Sequence, residues 1–322
     1  MKNEKLNVDV SIIIVNWNTR EIACDCLKSV YEQTQHMSFE VIVVDNGSSD
    51  GSVEMVKNEY PRVILIENLE NVGFAAANNQ GMALAKGRYI LLLNSDTVIL
   101  DNAISKAISF SDTHPEAAVV GCRVLNPDRT LQLSCSMFPS LLNWVLFITY
   151  LYKLFHKNKF FGRERMSWWA RNDIQEVEVV TGCFMLVRRE AIEQVGMMDE
   201  RFFMYAEEID WCYRFRMAGW KNLFTPDAEI IHLGGVSAIK YGDERALIKD
   251  ASLVKLMFKH WPKWRAKAGV LCMLMFYVSR LSVIIPQFIF NTRRANQDIL
   301  ANHITGLRGL LKFRQYLDEK HT

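Results

Sequence analysis

The sequence lacks the motifs of several common nucleotide-binding and metal-binding protein classes. No GxGxxG and no GxxxxGK[ST] occurs in its 322 residues, which argues against a dinucleotide dehydrogenase and a P-loop NTPase. The seven cysteines are scattered and form no CxxC pair, so neither a structural zinc site nor a redox motif is indicated. Most of them are typical of small buried residues in a reducing compartment.

Neither sign of charge prevails over the whole chain. Lys and Arg total 38 against 36 Asp and Glu, so the bulk charge gives no indication of a nucleic-acid partner. The distribution is uneven, because residues 249–322 contain 13 basic and 4 acidic residues, whereas residues 1–248 carry a net charge of −7. We therefore predict that the basic tail contacts an anionic partner, with a membrane surface as the leading candidate. The first ten residues contain no apolar signal segment, which predicts a cytoplasmic catalytic part.

Half of the residues are hydrophobic, which is enough to bury a core. In the first 100 residues, short apolar runs alternate with amphipathic segments, and this predicts an α/β fold with a parallel sheet and helices on both faces. Ligands of such sheets bind beyond the C-terminal ends of the strands. Polar clusters follow the predicted strands at residues 16–19, 45–50, 67–71 and 94–97. They are expected to form one composite site.

Two later segments are apolar but atypical of a membrane-spanning helix. Residues 137–170 mix aromatic side chains with lysines, which favours a buried helix or an aromatic acceptor pocket, with an interfacial membrane segment as the alternative. Residues 268–290 are the most hydrophobic stretch, but Arg280 and Pro286 disfavour a span. We predict a monotopic or amphipathic membrane-bound helix there. A single span and a soluble core helix are the alternatives.

Carboxylates and one histidine are the candidates for chemistry. Asp96 follows the fourth predicted strand and is suited to holding Mg²⁺ or Mn²⁺, or to capping a helix. Asp45 follows the second strand and fits a ribose or base contact as well as an Asx-turn. The acidic cluster at 207–210, beside aromatic residues, is typical of a general base or of an acidic helix start. His232 ends an apolar strand. It is either a hydrogen-bonded core residue or a metal ligand.

Six motifs occur in a fixed order: SIIIVNWNT, VIVVDNGSSDGS, ENLENVGFAAANNQG, LLLNSDT, VVTGCFMLVRREAIEQVGMMDERFFMYAEEIDWCYRFRMAGW and AEIIHLGG. Together they resemble the family 2 glycosyltransferases of the GT-A fold, and most of all the bacterial rhamnosyltransferases, over about residues 8–245. The resemblance implies a Rossmann-like mixed α/β sheet in a catalytic domain at 1–248, with 137–170 as an acceptor or membrane-proximal insertion. A membrane-associated helical region at 249–322 would follow.

The resemblance also implies a nucleotide-sugar site made largely of amides. Asp45 matches the carboxylate that binds the nucleotide base, and Asn16 and Asn18 line the same loop. Asn71 and Asn78 match positions that border the ribose and the diphosphate.

A divalent cation, Mg²⁺ or Mn²⁺, is implied as well. Asn94-Ser95-Asp96 occupies the DxD motif of the family, with Asn94 in place of the first aspartate. Asp96 is therefore expected to carry most of the metal binding, and His232 matches the distant metal ligand of the family.

The general base implied by the family falls on Glu208. The pair Glu207-Glu208 replaces the commoner Glu-Asp, so Glu207 and Asp210 are reserve candidates. Because an inverting transfer forms no covalent intermediate, no Ser-His or Cys-His constellation is required.

The implied function is sugar transfer with inversion from a nucleoside-diphosphate donor, with dTDP-rhamnose favoured, to a hydroxyl of a lipid-linked saccharide. The protein would be cytoplasmic and attached peripherally or monotopically to the inner face of the cell membrane, in O-antigen or other surface polysaccharide biosynthesis. One alternative is a nucleotidyltransferase, although its basic phosphate-binding residue is missing from the strand-edge motifs. The other is a catalytically silent nucleotide-sugar binder or membrane scaffold, which the substituted DxD motif leaves open.

Overall fold

The computed structural model describes residues 8–236, 241–242, 244–290 and 294–318, and the chain divides into two compact units. Unit 1 consists of Met1–Met137, Trp169–Glu200 and Glu208–Ser237. Unit 2 consists of Phe138–Trp168, Arg201–Glu207 and Ala238–Thr322. Each unit is therefore assembled from segments that are distant in the sequence.

Strands and helices alternate regularly through the first part of the chain. In order, the elements are β1 (Val8–Asn16), α1 (Arg20–Gln33), β2 (Phe39–Asn46), α2 (Ser52–Glu59), β3 (Ile64–Asn68), α3 (Phe74–Leu84), β4 (Gly87–Asn94), β5 (Thr97–Ile99), α4 (Ala103–Thr113), β6 (Ala117–Leu125), β7 (Leu131–Gln132) and β8 (Cys135–Ser136). The four predicted strands and three predicted helices of this part are confirmed, with ends that differ by a few residues.

The second part begins with short elements and ends in long helices. In order, these are α5 (Leu141–Ile148), α6 (Leu151–Leu154), β9 (Gln175–Glu176), β10 (Val179–Val180), β11 (Phe184–Arg188), α7 (Arg189–Val195), α8 (Glu207–Met217), β12 (Lys221–His232), α9 (Glu244–His260), α10 (Lys263–Phe290), α11 (Arg294–Leu311) and α12 (Arg314–Asp318).

Unit 1 is built on a mixed sheet with the strand order β3-β2-β1-β4-β11-β6-β12-β5. The middle parts of its central strands are continuous apolar runs, as expected for strands covered on both faces, and Ile12, Ile13 and Ile14 are all fully buried. Strands β3, β2, β1 and β4 run parallel, as expected for an α/β alternation. The parallel arrangement predicted from the first 100 residues is confirmed for these four strands, and beyond β4 the strand β11 runs antiparallel to both β4 and β6. The mixed sheet implied by the family resemblance is confirmed.

The short strand β5 determines which residues meet at the far edge of the sheet. It pairs antiparallel with the end of β12, so that Thr97 lies opposite His232. The backbone N–H of Leu233 also donates to the carbonyl of Asp96 at 2.9 Å. This pairing brings the DxD region next to a histidine that lies far along the chain.

The core of unit 2 joins the aromatic segment to the C-terminal helices. Trp144 of α5 makes an edge contact with Phe276 of α10, with ring centroids 6.0 Å apart. The buried members of this core are Val254, Met257, Ala266, Val270, Met273, Tyr277 and Leu310. The helical character predicted for the region after 248 is confirmed in the parts that the structure describes. Among those helices, none combines the length and the apolar character needed to cross a membrane.

Arg280 lies inside unit 2 and is only 7% exposed. Its Nη2 donates to the carbonyl oxygen of Phe147 at 2.8 Å. The guanidinium carbon lies 3.4 Å from the ring centroid of Tyr150 and 4.6 Å from that of Phe276. Cation–π contacts of this kind offset part of the cost of removing the charge from water. The arginine that interrupts the most hydrophobic stretch is therefore held by aromatic side chains, several of them from residues 137–170.

Asp250 of α9 gives the stability of unit 2 a dependence on pH. Burial raises the pKa of this carboxyl to about 6, although the hydroxyl of Tyr277 donates to it at 2.7 Å. Since the folded-state pKa lies above the unfolded value, the folded state is penalised as pH rises through this interval. We expect Asp250→Asn to raise the free energy of unfolding at pH 8 by about 1–3 kcal/mol, with no gain near pH 4. Urea denaturation at both pH values measures this, with exposed Asp101→Asn as control. Equal effects of Asp250→Asn on the free energy of unfolding at the two pH values would contradict the raised pKa of Asp250.

Candidate active site

The first loop of the site joins the ends of β1 and β2. These strands are parallel neighbours with Asn16 in register with Asp45, so both residues leave the sheet at the same edge. Asn16 Nδ2 donates to Asp45 Oδ2 at 2.9 Å, and the N–H of Ser48 donates to Asp45 Oδ1 at 2.8 Å. Asn18 Oδ1 accepts from the N–H of Ser49 at 2.7 Å. The structure thus brings the predicted trio of Asn16, Asn18 and Asp45 together in one hydrogen-bond network through Ser48 Oγ, buried at Asn16 and Asp45 and partly exposed at Asn18.

The second loop connects β3 to α3 and contains the two predicted asparagines. Asn46 Nδ2 donates to Asn71 Oδ1 at 2.8 Å, which ties this loop to the end of β2. Gly47 has a φ of +78°, and a Cβ at this position would lie 2.9 Å from the backbone of Glu70. A side chain would therefore push the two loops apart. Asn78 is buried in α3 and donates to the carbonyl of Phe74 at 2.9 Å, one helical turn earlier.

Asn46 organises these loops, and sequence reasoning missed it. Its Oδ1 accepts from Asn68 Nδ2 at 3.0 Å and from the N–H of Val72 at 3.2 Å. The residue is buried directly after Asp45. An asparagine in a run of turn residues gives no signal that separates this role from an ordinary turn.

Asp96 and His232 form a pair at the edge made by β5 and β12. Asp96 Oδ1 lies 3.1 Å from His232 Nε2, and both side chains are largely buried. Burial by itself would raise the pKa of Asp96, but the hydrogen bond and charge of His232 outweigh it, with a smaller effect from the N–H of Val236, and lower this pKa. Asn94 Nδ2 lies 3.3 Å from the same ring nitrogen. The structure therefore brings together the two residues predicted as metal ligands, Asp96 and His232, with Asn94, which was predicted to bind the nucleotide sugar.

The donor atoms of this pair suit a hard or borderline cation. A carboxylate oxygen and an imidazole nitrogen face each other, and this combination fits Mn²⁺ or Mg²⁺ better than a soft, thiolate-preferring metal. Within the described residues, no group of three or more His, Cys, Asp or Glu side chains is placed to hold a metal ion. Among the described residues, Asp96 and His232 are the side chains of these types that would hold a cation at this edge.

Gln132 is a second residue that sequence reasoning missed. It lies on β7, and its Oε1 is 2.6 Å from His232 Nδ1, the ring nitrogen that faces away from Asp96. Its Nε2 donates to the backbone carbonyl of His232 at 3.1 Å. A lone glutamine in the short strand of a hairpin carries no recognisable pattern in the sequence.

The acidic cluster begins helix α8, and its three carboxylates differ in their surroundings. Asp210 is fully buried and pairs with Arg214 Nε at 2.8 Å, and Arg214 in turn donates to the carbonyl of Val195. Glu207 is buried, whereas Glu208 is only partly buried. Of the three residues, Glu208 is the least buried, although its Oε2 is shielded from solvent, and Asp210 holds a position suited to supporting the helix.

The chain enters α8 through a strained backbone. Tyr205 and Ala206 both have a φ of 68°, a left-handed conformation that costs of order 1–3 kcal/mol for a residue with a side chain. Such strain concentrates at functional sites, where it fixes the direction of a neighbouring side chain. It occurs here immediately before Glu207 and Glu208.

The fold is that of a mixed α/β protein with a candidate cation site at the C-terminal edge of its sheet. Within that class, the chain belongs to glycosyl transferase family 2, whose family model matches residues 11–196.

Curated relatives include enzymes of lipid-linked saccharides. The chain is 30% identical over 206 residues to the N-acetylglucosaminyl-diphospho-decaprenol L-rhamnosyltransferase of Mycobacterium tuberculosis, covering 60% of this chain and 66% of that one. It is 35% identical over 105 residues to an Escherichia coli UDP-Glc:alpha-D-GlcNAc-diphosphoundecaprenol beta-1,3-glucosyltransferase, covering 32% and 41%. The matched segment spans less than two thirds of either relative.

A solved structure shares the fold over nearly the whole chain. The mannosyltransferase PcManGT from Pyrobaculum calidifontis, in complex with GDP-Man and Mn²⁺, superposes with a TM-score of 0.59, covering 97% of this chain and 88% of that one. At 15% identity, this similarity concerns the fold alone.

Proposed function

We propose that this chain is a metal-dependent, inverting glycosyltransferase that moves a sugar from a nucleoside-diphosphate donor to a hydroxyl of a lipid-linked saccharide in bacterial surface polysaccharide synthesis. The observation that carries the proposal is the Asp96–His232 pair at the C-terminal edge of the sheet, the edge at which ligands of α/β sheets bind. Rhamnose, from dTDP-rhamnose, is the favoured sugar because one relative is a rhamnosyltransferase. Both relatives reported above have names that specify an N-acetylglucosaminyl-diphospho-lipid acceptor, whereas their sugars differ. The acceptor class is thus better supported than the sugar.

The proposed roles follow the geometry of unit 1. Asp45, in its network with Asn16 and Asn18, binds the nucleotide base, and Asn71 and Asn78 border the ribose and diphosphate. Asp96 and His232, beside Asn94, hold the cation. When bound, a divalent cation neutralises charge on the departing diphosphate.

Glu208 takes the proton from the acceptor hydroxyl as its oxygen attacks the anomeric carbon. The nucleoside diphosphate leaves from the opposite face, so the configuration inverts. Glu207 and Asp210 stay in reserve for this role. Residues 1–248 are proposed as the catalytic part and 249–322 as the membrane-associated part.

Attachment to a membrane surface is supported by one face of α10. Its large apolar side chains that are between 45% and 70% exposed are Trp264, Leu271, Met275, Val278 and Ile285. Their spacing of seven, four, three and seven residues places them along a single stripe of the helix. Lys263, Arg265 and Lys267 lie at the start of the same helix. An apolar stripe with basic residues beside it is the pattern of a helix that lies in an anionic membrane interface.

The proposal is tested by a panel of dTDP-, UDP- and GDP-sugars, with and without Mn²⁺ or Mg²⁺, with the protein bound to anionic vesicles. We expect one donor to be hydrolysed or transferred only with metal, with release of the nucleoside diphosphate. Release of pyrophosphate would instead identify a nucleotidyltransferase. Failure of every donor to bind to folded protein would favour a silent binder or scaffold. Equal partition into neutral and anionic vesicles, or into neither, would contradict the membrane proposal.

A further inference from the structure

The hairpin that joins β6 to β7 carries an ordered chain of side-chain hydrogen bonds that ends at His232. Asp128 Oδ1 accepts from Thr130 Oγ1 at 2.6 Å, and Thr130 Oγ1 accepts from Asn126 Nδ2 at 2.9 Å. Asn126 Oδ1 then accepts from Gln132 Nε2 at 2.8 Å. Each of these contacts has one donor and one acceptor. Once the donor and the acceptor are known at one end of the series, they are determined for every hydrogen bond in it.

The end at Asp128 is fixed by chemistry. The hydroxyl and the backbone N–H of Thr130 both donate to this carboxylate and lower its pKa, so it only accepts at neutral pH. The hydroxyl of Thr130 must therefore donate its proton to Asp128, and its oxygen accepts a hydrogen bond from Asn126. The amide of Asn126 is oriented in turn, with its oxygen toward Gln132.

Gln132 is consequently oriented from two sides. Its NH₂ group donates to Asn126 Oδ1 and to the backbone carbonyl of His232, which leaves Oε1 facing His232 Nδ1. Because an amide oxygen only accepts, Nδ1 must carry a proton. In a neutral imidazole that binds a cation, the lone pair then lies on Nε2, the atom that faces Asp96. In the cation-free pair, a proton on Nε2 donates to Asp96 Oδ1 instead.

We propose that Gln132, oriented by the hairpin residues Asn126, Asp128 and Thr130, is a positioning residue that fixes the Nδ1-protonated tautomer of His232 and so presents Nε2 to a divalent cation. The inference rests on the proposed metal site and adds residues outside the family motifs. Outer partners of metal-binding histidines act in this way, and their loss weakens metal binding by about 10- to 100-fold.

The test measures Mn²⁺ binding without any sugar. Electron paramagnetic resonance follows free Mn²⁺ in titrations of wild type, Gln132→Met, Gln132→Glu and Asp96→Asn, and pulsed measurements detect a coordinated imidazole nitrogen. Gln132→Met has a similar length but accepts no strong hydrogen bond, and is expected to weaken Mn²⁺ binding about 10- to 100-fold and to reduce the nitrogen coupling. Gln132→Glu keeps the oxygen that accepts from Nδ1 but turns its second oxygen toward two acceptors, Asn126 Oδ1 and the His232 carbonyl, so its Mn²⁺ affinity is expected to lie between those of Gln132→Met and wild type.

The control is Gln194→Met, which removes an amide that accepts only from Trp220 Nε1 and is expected to bind Mn²⁺ as wild type does. Wild-type affinity and nitrogen coupling in Gln132→Met, with Asp96→Asn impaired, would overturn the role of Gln132 and leave the metal site standing. Equal loss in Gln132→Met and Gln132→Glu would also overturn it, because the accepting oxygen would then not matter. The metal site itself would be refuted if wild type and Asp96→Asn bound Mn²⁺ with equal affinity, or if neither bound it.

Discussion

Glu208→Gln is expected to lower kcat for sugar transfer by about 10³-fold while donor binding stays near that of wild type. The substitution keeps the shape and the hydrogen-bonding length of the side chain but removes its ability to take a proton. In an inverting transfer, the acceptor oxygen must lose its proton as it attacks, so the loss falls on kcat. Steady-state transfer measures kcat, and calorimetric titration with the donor measures binding.

A substitution of the neighbouring glutamate in the same acidic cluster shows whether the loss of kcat is specific to Glu208. Glu207→Gln is expected to cost less turnover than Glu208→Gln because Glu207 is buried at the start of α8. Glu193→Gln, at an exposed position of α7, should leave kcat unchanged. Turnover near wild type in Glu208→Gln, with a large loss in Glu207→Gln, would move the base assignment by one residue.

Asp96→Asn is expected to reduce metal-dependent transfer on the order of 10²–10³-fold, the cost of removing one group that stabilises charge on a leaving oxyanion. Asn94 already replaces a carboxylate in this motif, so the substitution removes the remaining negative charge of the DxD region. Weaker donor binding should accompany the loss, because a cation held by Asp96 and His232 would attract the negatively charged diphosphate. Transfer at increasing Mn²⁺ concentration measures both effects.

A matched substitution on the neighbouring strand serves as control for Asp96→Asn. Asp227 is an exposed aspartate of β12, the strand that also carries His232, and Asp227→Asn should leave the Mn²⁺ dependence unchanged. Activity of Asp96→Asn at the wild-type level, with or without metal, would contradict a cation-assisted departure of the diphosphate.

The sequence predicted well what depends on local pattern. The runs at 10–15 and 39–44 are β-branched and end in turn residues, so their strands and their shared edge follow from periodicity and turn chemistry. The polar clusters at the ends of these strands therefore predict that Asn16 lies near Asp45. The register between β1 and β2 confirms this, because the two residues are paired.

What the sequence could not predict depends on pairing across long separations. The reversal of β11 against β4 and the three-residue strand β5 leave no periodic signal, yet β5 determines that Thr97 faces His232. The turn residues at 126–130 indicate a hairpin, but not that its side chains reach a histidine on another strand. In the sequence, Arg280 is a charge that is unfavourable within an apolar stretch. The aromatic rings that surround it are supplied only by tertiary packing.

The burial of Arg280 also has a consequence for protein synthesis. Its bond to the Phe147 carbonyl links residues 133 positions apart, and at roughly 5–20 residues per second the ribosome needs roughly 7–27 s to make the intervening chain. During that interval, Trp144 cannot make its contact with Phe276, and the aromatic face of α5 waits for its partner helix. Apolar surface that is exposed during synthesis is prone to aggregation. We therefore expect the time between translating α5 and α10 to affect the yield of folded protein, independently of its final stability.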